Sequence, residues 1–356
     1  MQPQKHTLAF DDLPILLRQW LQSKAVIGPL ARQDQPGFYY FDWIDPADAD
    51  VERLAERLAS GYVTTAIPPK KAFFPTRETL FNFAAAGPVV PKNEEHQEPF
   101  LLIGVHPCDL AALSLLDIAY AHPPADDLWQ KRRRQATVIG VDCLPDQYCF
   151  CTSMGTSGSR EGCDLFLTPI QSGYLAEIHS AKGEELLCGI RAKAAQPIEI
   201  LEGEEFLHKK KAAITLRLQT GLEKFAEILD KTDLTEVWEQ TAQRCYSCGS
   251  CNTTCPTCFC FDVEDTLDTN LTSGRRYRSW GSCQLLDFTL LAGGANTRGA
   301  RRQRVAHRWY RKFLYLYKQF GHSFCTGCGR CSRACTADIN IVDVSNDLIK
   351  RAKEKR

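Results

Sequence analysis

The chain has 356 residues, of which 44% are apolar, so it can bury a substantial core and has room for two domains. It has no apolar run near the roughly 18–20 residues of a membrane span and no secretory signal, which indicates a soluble, cytoplasmic protein. In a reducing compartment its 17 cysteines favour metal ligation over disulfides.

The net charge is zero, but the charges are distributed unevenly along the chain. Residues 271–356 carry 18 Lys and Arg against 5 Asp and Glu, a net charge of +13, so residues 1–270 carry −13. A basic segment suits nucleic acid, an acidic partner or a buried anionic group. We favour the last, because thiolate-bound iron–sulfur clusters are anionic.

The first half of the chain has the pattern of an α/β domain with a partly parallel sheet. The short apolar runs FLLIGV (100–105) and ATVIGV (136–141) are typical of strands buried on both faces, and residues 109–121 between them have helical spacing. This order predicts a strand–helix–strand unit with parallel strands. Residues 163–170 and 173–180 predict a hairpin.

Four cysteines follow the ends of the two apolar strands. Cys108 follows the first strand, and Cys143, Cys149 and Cys151 follow the second. Because the carboxyl ends of parallel strands meet at one edge of a sheet, we expect these thiols to converge and to bind a third cluster. The alternative is that they are ordinary buried cysteines, which pack as small apolar side chains.

Residues 204–243 have helical spacing and lead into the first cysteine motif. We place the domain boundary near residues 205–230. The prediction is an α+β fold with an α/β domain in residues 1–215 and a helical ferredoxin-like domain in residues 216–356.

Two cysteine quartets, at 245–255 and 325–335, share the spacing C-x2-C-x2-C-x3-C. In two-cluster ferredoxins this spacing places three thiolates on one cubane, and the fourth cysteine ligates the other cluster. Zinc sites usually show pairs of CxxC motifs instead. The sequence therefore predicts two [4Fe–4S] clusters, one held by Cys245, Cys248, Cys251 and Cys335, and the other held by Cys325, Cys328, Cys331 and Cys255.

Cys258, Cys260 and Cys283 lie between the quartets. Three thiols cannot complete a set of four ligands without outside help. We interpret them as packing beside a cluster.

Several segments together resemble one known family. CPTCFCFDVED, RSWGSCQLLDFTLLAGGANTR, HRWYRKFLY and FCTGCGRCSRAC are similar to the beta subunit of sulfhydrogenases and the A subunit of anaerobic sulfite reductases. GVHPCDLAAL and CLPDQYCFCTSMGT look like N-terminal landmarks of the same family, so the resemblance spans roughly residues 60–345. It implies a dicluster subunit that passes electrons between a flavin subunit, which binds FAD and NAD(P), and a catalytic subunit.

Residues 298–320 interleave basic and aromatic side chains at helical spacing. Such a segment can bind nucleic acid through phosphate contacts and stacked bases. We favour a basic helix that faces a cluster and packs through an apolar stripe of Trp309, Phe313, Leu316 and Phe320. No nucleic-acid partner is expected.

The sequence thus predicts an electron-transfer subunit of a cytoplasmic, multi-subunit oxidoreductase that is not catalytic alone. It contains neither a glycine-rich dinucleotide turn nor a P-loop, so the flavin and NAD(P) are expected on a partner. A NiFe hydrogenase is the favoured catalytic subunit, and a sulfite or sulfur reductase is the alternative. Two other functions stay open: reduction of a sulfur substrate at the N-terminal cysteines, and nucleic-acid binding.

Overall fold

The structure is a computed structural model that describes residues 3–355 apart from 33, 36, 48, 61, 85–86, 88, 92–97, 191 and 270. The strands are β1 (Gln4–Ala9), β2 (Ala25–Ala31), β3 (Tyr39–Trp43), β4 (Arg77–Ala84), β5 (Val90–Pro91), β6 (Phe100–Val105), β7 (Ala136–Val141), β8 (Leu165–Ile170), β9 (Gly173–Ile178), β10 (Lys193–Ala194), β11 (Phe261–Leu267) and β12 (Ser273–Trp280).

The α-helices are α1 (Asp12–Ser23), α2 (Val51–Ser60), α3 (Pro107–Ala121), α4 (Asp127–Gln135), α5 (Ala181–Glu185), α6 (Pro197–Ala213), α7 (Leu222–Lys231), α8 (Thr235–Arg244), α9 (Ser250–Thr253), α10 (Arg301–Tyr310), α11 (Leu316–Phe320), α12 (Arg330–Arg333) and α13 (Ile341–Glu354). A π-helical turn, Arg311–Tyr315, joins α10 to α11. Within the part of the chain described, no helix is long and apolar enough to cross a membrane.

The larger sheet has eight strands in the order β10-β1-β9-β8-β7-β6-β2-β3. Strands β2, β6, β7 and β8 are parallel neighbours, and the remaining pairs are antiparallel. All six residues of β6 are buried, which explains its continuous apolar sequence. The predicted strand–helix–strand unit and the β8–β9 hairpin are confirmed, and so is the partly parallel N-terminal sheet.

A second, antiparallel sheet has the order β11-β12-β4-β5. Strand β12 pairs with β4, so this sheet joins segments from both sides of the predicted domain boundary. The C-terminal part of the chain therefore contains strands in addition to the expected helices. Strand β11 has the sequence FDVEDTL and stays largely exposed, so it lacks the apolar pattern that identifies a buried strand.

Buried apolar side chains form two clusters. One runs from Leu8 to Leu187 around the larger sheet. The other combines Phe150 and Met154 with helices between residues 225 and 352. The loop that follows β7 thus contributes to the second cluster, and the division at residue 215 stays a prediction.

The basic segment is helical, and part of its charge faces inward. Arg304, Arg308 and Lys312 are buried and spaced four residues apart, which places them on one face of the helix. Trp309 and Phe313 pack into the second apolar cluster. These three cations thus face the protein interior, as expected for a basic helix that faces a cluster.

Candidate iron–sulfur sites

One cavity in the C-terminal half is lined by four cysteines: Cys255, Cys325, Cys328 and Cys331. The last cysteine of the first quartet therefore lies with the first three of the second, which is the arrangement that a ligand crossover requires. The pKa of Cys255 lies well below its usual value, chiefly because the Cys258 thiol donates a hydrogen bond to it; burial opposes this, and the Lys312 ammonium adds to it. The Lys312 ammonium, a cause that does not depend on the Cys258 proton, favours the thiolate form of Cys255.

Glycine shapes the loop that carries the second quartet. Gly327 and Gly329 have φ angles of +69° and +73°, a left-handed conformation that side-chain-bearing residues rarely adopt. The loop then enters the short helix α12, so Cys325 and Cys328 lie on the loop and Cys331 lies on the helix.

The first quartet begins where α8 ends. The amide of Ser247 donates to Cys245 Sγ at 3.3 Å, and the amide of Ile339 donates to Cys335 Sγ at 3.3 Å. Arg244 Nη2 donates to the carbonyls of residues 337 and 338 at 3.0 and 2.7 Å, so the chain just after Cys335 lies beside the start of the first quartet. Cys248 is exposed to solvent.

Three buried cations surround the C-terminal cysteines: Lys70, Arg308 and Lys312. Within the described ranges, none of them pairs with a carboxylate. Lys312 Nζ donates to Thr257 Oγ1 at 3.0 Å and to the Phe324 carbonyl at 2.9 Å, and burial lowers the pKa of Lys70 to about 8. Burying an unpaired charge costs several kcal/mol, so these cations fit a site that holds an anion.

The four N-terminal cysteines follow two strand ends that lie side by side. Val105 lies opposite Gly140 in the parallel β6–β7 pair. Burial raises the pKa of Cys151 to about 12, while Lys210 opposes the rise and Cys143 adds to it. Burial also raises the pKa of Cys108 and of Cys149, with the neighbouring thiols adding to the effect. The thiols are thus close enough to influence one another.

The cations beside these N-terminal cysteines already have partners. Lys210 Nζ donates to Asp142 Oδ1 at 2.5 Å, and Arg330 pairs with Asp109 at 2.6 Å. This edge of the sheet therefore lacks the uncompensated positive charge found around the C-terminal cavity.

The N-terminal cysteine loop packs directly on the second quartet. The amide of Phe150 donates to the Gly327 carbonyl at 2.9 Å, and Thr156 Oγ1 donates to the Thr326 carbonyl at 2.6 Å. A Cβ on Gly327 would lie 2.5 Å from the Cα and N of Cys151. A cluster bound by the N-terminal cysteines would therefore lie next to a cluster bound by the second quartet.

The sequence analysis groups Cys258, Cys260 and Cys283 as thiols that pack beside a cluster, and in the structure these three thiols line one cavity. Its signal in the sequence is weak, because Cys283 lies far along the chain from the other two. Among the residues whose placement is described, no three His, Cys, Asp or Glu side chains are close enough to share a single metal ion. A cubane spreads its thiolates over four irons and therefore needs a wider arrangement than one ion does.

Comparison with known proteins gives two matches. Residues 244–339 match a family described as a 4Fe-4S dicluster domain. Over 299 residues, covering 82% of this chain and 86% of the relative, the chain is 35% identical to the sulfhydrogenase 2 subunit beta of Pyrococcus furiosus. No solved structure matches the chain. The resemblance predicted from the sequence motifs is confirmed, and the chain belongs to the sulfhydrogenase beta-subunit family, with an iron–sulfur dicluster domain at its C-terminal end.

Proposed function

We propose that this chain is the iron–sulfur electron-transfer subunit of a multi-subunit, hydrogenase-type oxidoreductase. The observation that carries the proposal is the cavity lined by Cys255, Cys325, Cys328 and Cys331, beside buried cations without carboxylate partners. The dicluster-domain match and the name of the relative support it.

The proposed ligand sets are those predicted from the sequence, with Cys335 joining Cys245, Cys248 and Cys251, and Cys255 joining the second trio. When bound, such clusters accept and release single electrons without large structural change. The chain's own residues hold the thiolates in place, exclude water from the second site and supply positive charge. Arg308 and Lys312 favour the more reduced, more negative state, because a nearby cation stabilises added negative charge.

The proposed partners are a flavin subunit that binds NAD(P) and a catalytic subunit of the NiFe hydrogenase type. A sulfite or sulfur reductase is the alternative catalytic subunit, and the relative's printed name favours hydrogenase. Exposed apolar side chains near Cys248 suit a docking partner. Tyr246 lies two residues before Cys248, and Leu285 Cδ2 lies 3.6 Å from the position of a Cβ on Gly249. Leu286, Leu290 and Leu291 follow Leu285 along the chain, and all five side chains are exposed. We refer to these five side chains as the Cys248 patch.

Anaerobic purification of the complex from its native host, with the subunits identified by mass spectrometry, tests the proposal. We expect a flavoprotein and a hydrogenase-type subunit to co-purify, and we expect the isolated chain to turn over neither NAD(P)H nor hydrogen. NADH oxidation by the chain alone, free of flavoprotein, would contradict the carrier role. A sirohaem protein in place of the hydrogenase would favour the alternative.

The third cluster at Cys108, Cys143, Cys149 and Cys151 is part of the proposal. Cys143→Ser and Cys151→Ser should each lose about four irons, or about two for a [2Fe–2S] centre, while the C-terminal clusters keep their spectra. Cys163→Ser is the matched control, because Cys163 is also buried but lies apart from these four. Wild-type iron content in both test variants would refute the third cluster.

A further inference from the structure

The cavity lined by Cys258, Cys260 and Cys283 adjoins the one that holds the second quartet. The two cavities share three lining residues, Thr257, Arg308 and Lys312. The two buried cations thus stand between one set of four thiols and another set of three.

The buried guanidinium of Arg308 has fewer hydrogen-bond acceptors around it than it has donors. Its side chain is 5% exposed, and its Nη2 donates to the Cys251 carbonyl at 3.2 Å. Its Nε and Nη1 atoms are buried with no hydrogen-bond partner in the described structure. Buried donors of this kind are costly unless a ligand accepts from them. Arg308 lines both cavities, so the missing acceptor belongs to one of them or to each.

A second polar group is directed at a thiol of the same cavity. Asn252 is buried, and its Nδ2 donates to Cys283 Sγ and to Ser282 Oγ, each at 3.0 Å. Amide donors to cysteine sulfur tune the potentials of iron–sulfur clusters. Lys70 reaches the Cys258 carbonyl at 2.6 Å from the other side, and Arg311 also lines the cavity.

We propose that Cys258, Cys260 and Cys283 bind an additional iron–sulfur cluster with three protein thiolates. Four cations line or adjoin this cavity, and no described carboxylate pairs with any of them. Three thiolates hold either a [3Fe–4S] cluster or a [4Fe–4S] cluster whose fourth iron takes a ligand other than cysteine. The N-terminal candidate site differs, since its cations are paired with Asp109 and Asp142.

This site extends the dicluster domain toward the surface. Leu285 and Leu286 of the Cys248 patch lie two and three residues after Cys283 along the chain. A cluster here would adjoin the second quartet, because the two cavities share lining residues, and its ligand Cys283 lies close in the chain to the leucines to which we assign a partner. The proposal of this additional cluster does not depend on which partner subunit docks.

The test is iron and sulfide analysis with Mössbauer and EPR spectroscopy on the full chain, reconstituted anaerobically. Cys260→Ala and Cys283→Ala should each lose about three or four irons relative to wild type, and the double variant should lose no more than either single variant. Cys163→Ala, a buried cysteine outside every proposed site, should lose none. The EPR spectrum of the reduced dicluster should persist in all of them.

Wild-type iron content in the double variant would overturn the proposal. Loss of the dicluster spectrum together with the extra iron would also overturn it, because these thiols would then serve the neighbouring clusters. A second measurement leaves the Cys258, Cys260 and Cys283 cavity unaltered and so does not depend on how those variants fold. The Cys143→Ala protein lacks only the N-terminal cluster, so about eleven or twelve irons per chain would support the additional cluster and about eight would refute it. Because the two clusters of the dicluster domain account for those eight irons, a result that refutes the additional cluster does not contradict the proposed electron-transfer function.

Discussion

The guanidinium of Arg330 donates two hydrogen bonds to the carboxylate of Asp109, at 2.6 and 2.7 Å. Arg330 lies between two cysteines of the second quartet, and Asp109 directly follows Cys108. Neither side chain is more than 1% exposed. Arg330 also donates to the carbonyl of Thr65 at 2.7 Å, so this one side chain fixes the second quartet against the N-terminal half.

Replacing Asp109 by Ala should lower the free energy of unfolding by about 3–5 kcal/mol, because it leaves a buried guanidinium unpaired. Asp265→Ala is a matched control. Asp265 also accepts two hydrogen bonds from one arginine, Arg276, at 2.7 Å each, but that pair is 43–44% exposed and should contribute little. Urea denaturation of both reconstituted variants measures the difference. Equal shifts would contradict a structural role for the buried pair.

Replacing Gly327 by Ala should separate the cysteine loops, whereas Gly321→Ala should not. Both glycines are left-handed, at φ +69° and +75°, so both variants carry backbone strain of roughly 1–2 kcal/mol. The new Cβ at 327 would also overlap the backbone of Cys151, but the one at 321 meets nothing within 4 Å. We expect only Gly327→Ala to reduce iron content and to expose Cys151 to alkylation. Similar iron loss in both variants would mean that strain alone matters.

The ligand crossover predicts which variants behave alike. Cys335→Ala should lose the cluster held by the first trio, so its reduced EPR spectrum should match that of Cys248→Ala and differ from that of Cys328→Ala. The Cys335→Ala/Cys248→Ala double variant should lose about four irons, no more than either single variant. A double variant that loses about eight irons would assign Cys335 to its sequence neighbours instead.

Sequence patterns were informative where a local rule applied. The β6–α3–β7 unit follows from continuous apolar strands, and its parallel pairing brings Cys108 and Cys143 to one edge. The hairpin β11–β12 was missed because β11 is exposed and charged, and because β12 buries an arginine, Arg278, in place of a run of apolar side chains. The sequence analysis groups Cys283 with Cys258 and Cys260, but it does not predict the cavity that the three thiols line. Contacts such as Asn252 to Cys283 join residues 31 positions apart, and only the return of the chain after β12 creates them.

Lys312→Met should change stability in opposite directions in the iron-free and the iron-loaded protein. Without clusters, Lys312 is a buried cation that no described carboxylate neutralises, so Met should stabilise the fold. With clusters bound, the same change removes a favourable charge interaction and should lower both stability and reduction potential. Lys318→Met is the control, since Lys318 is exposed and pairs with Asp230 at 2.7 Å. Thermal unfolding of the iron-free and the iron-loaded protein measures the sign of each change in stability. If Lys312→Met destabilises the iron-free protein, the prediction is wrong.

The Cys248 patch provides the last test, because it predicts where a partner binds without altering any proposed ligand. Leu286 is 52% exposed, and Tyr246 beside Cys248 is 70% exposed. Exposed apolar side chains clustered near an exposed ligand favour a short electron path through a docked subunit.

Leu286→Asp should place a charge in that interface and weaken subunit binding by tenfold or more, about 1.4 kcal/mol, with iron content unchanged. Leu271→Asp is the matched control: Leu271 is 68% exposed, lies in the β11–β12 turn, and has a φ of +58° that Asp tolerates well. Reconstitution of the complex on a sizing column, with cluster spectra recorded before mixing, separates binding from cluster loss. If the control weakens assembly and Leu286→Asp does not, the partner docks elsewhere.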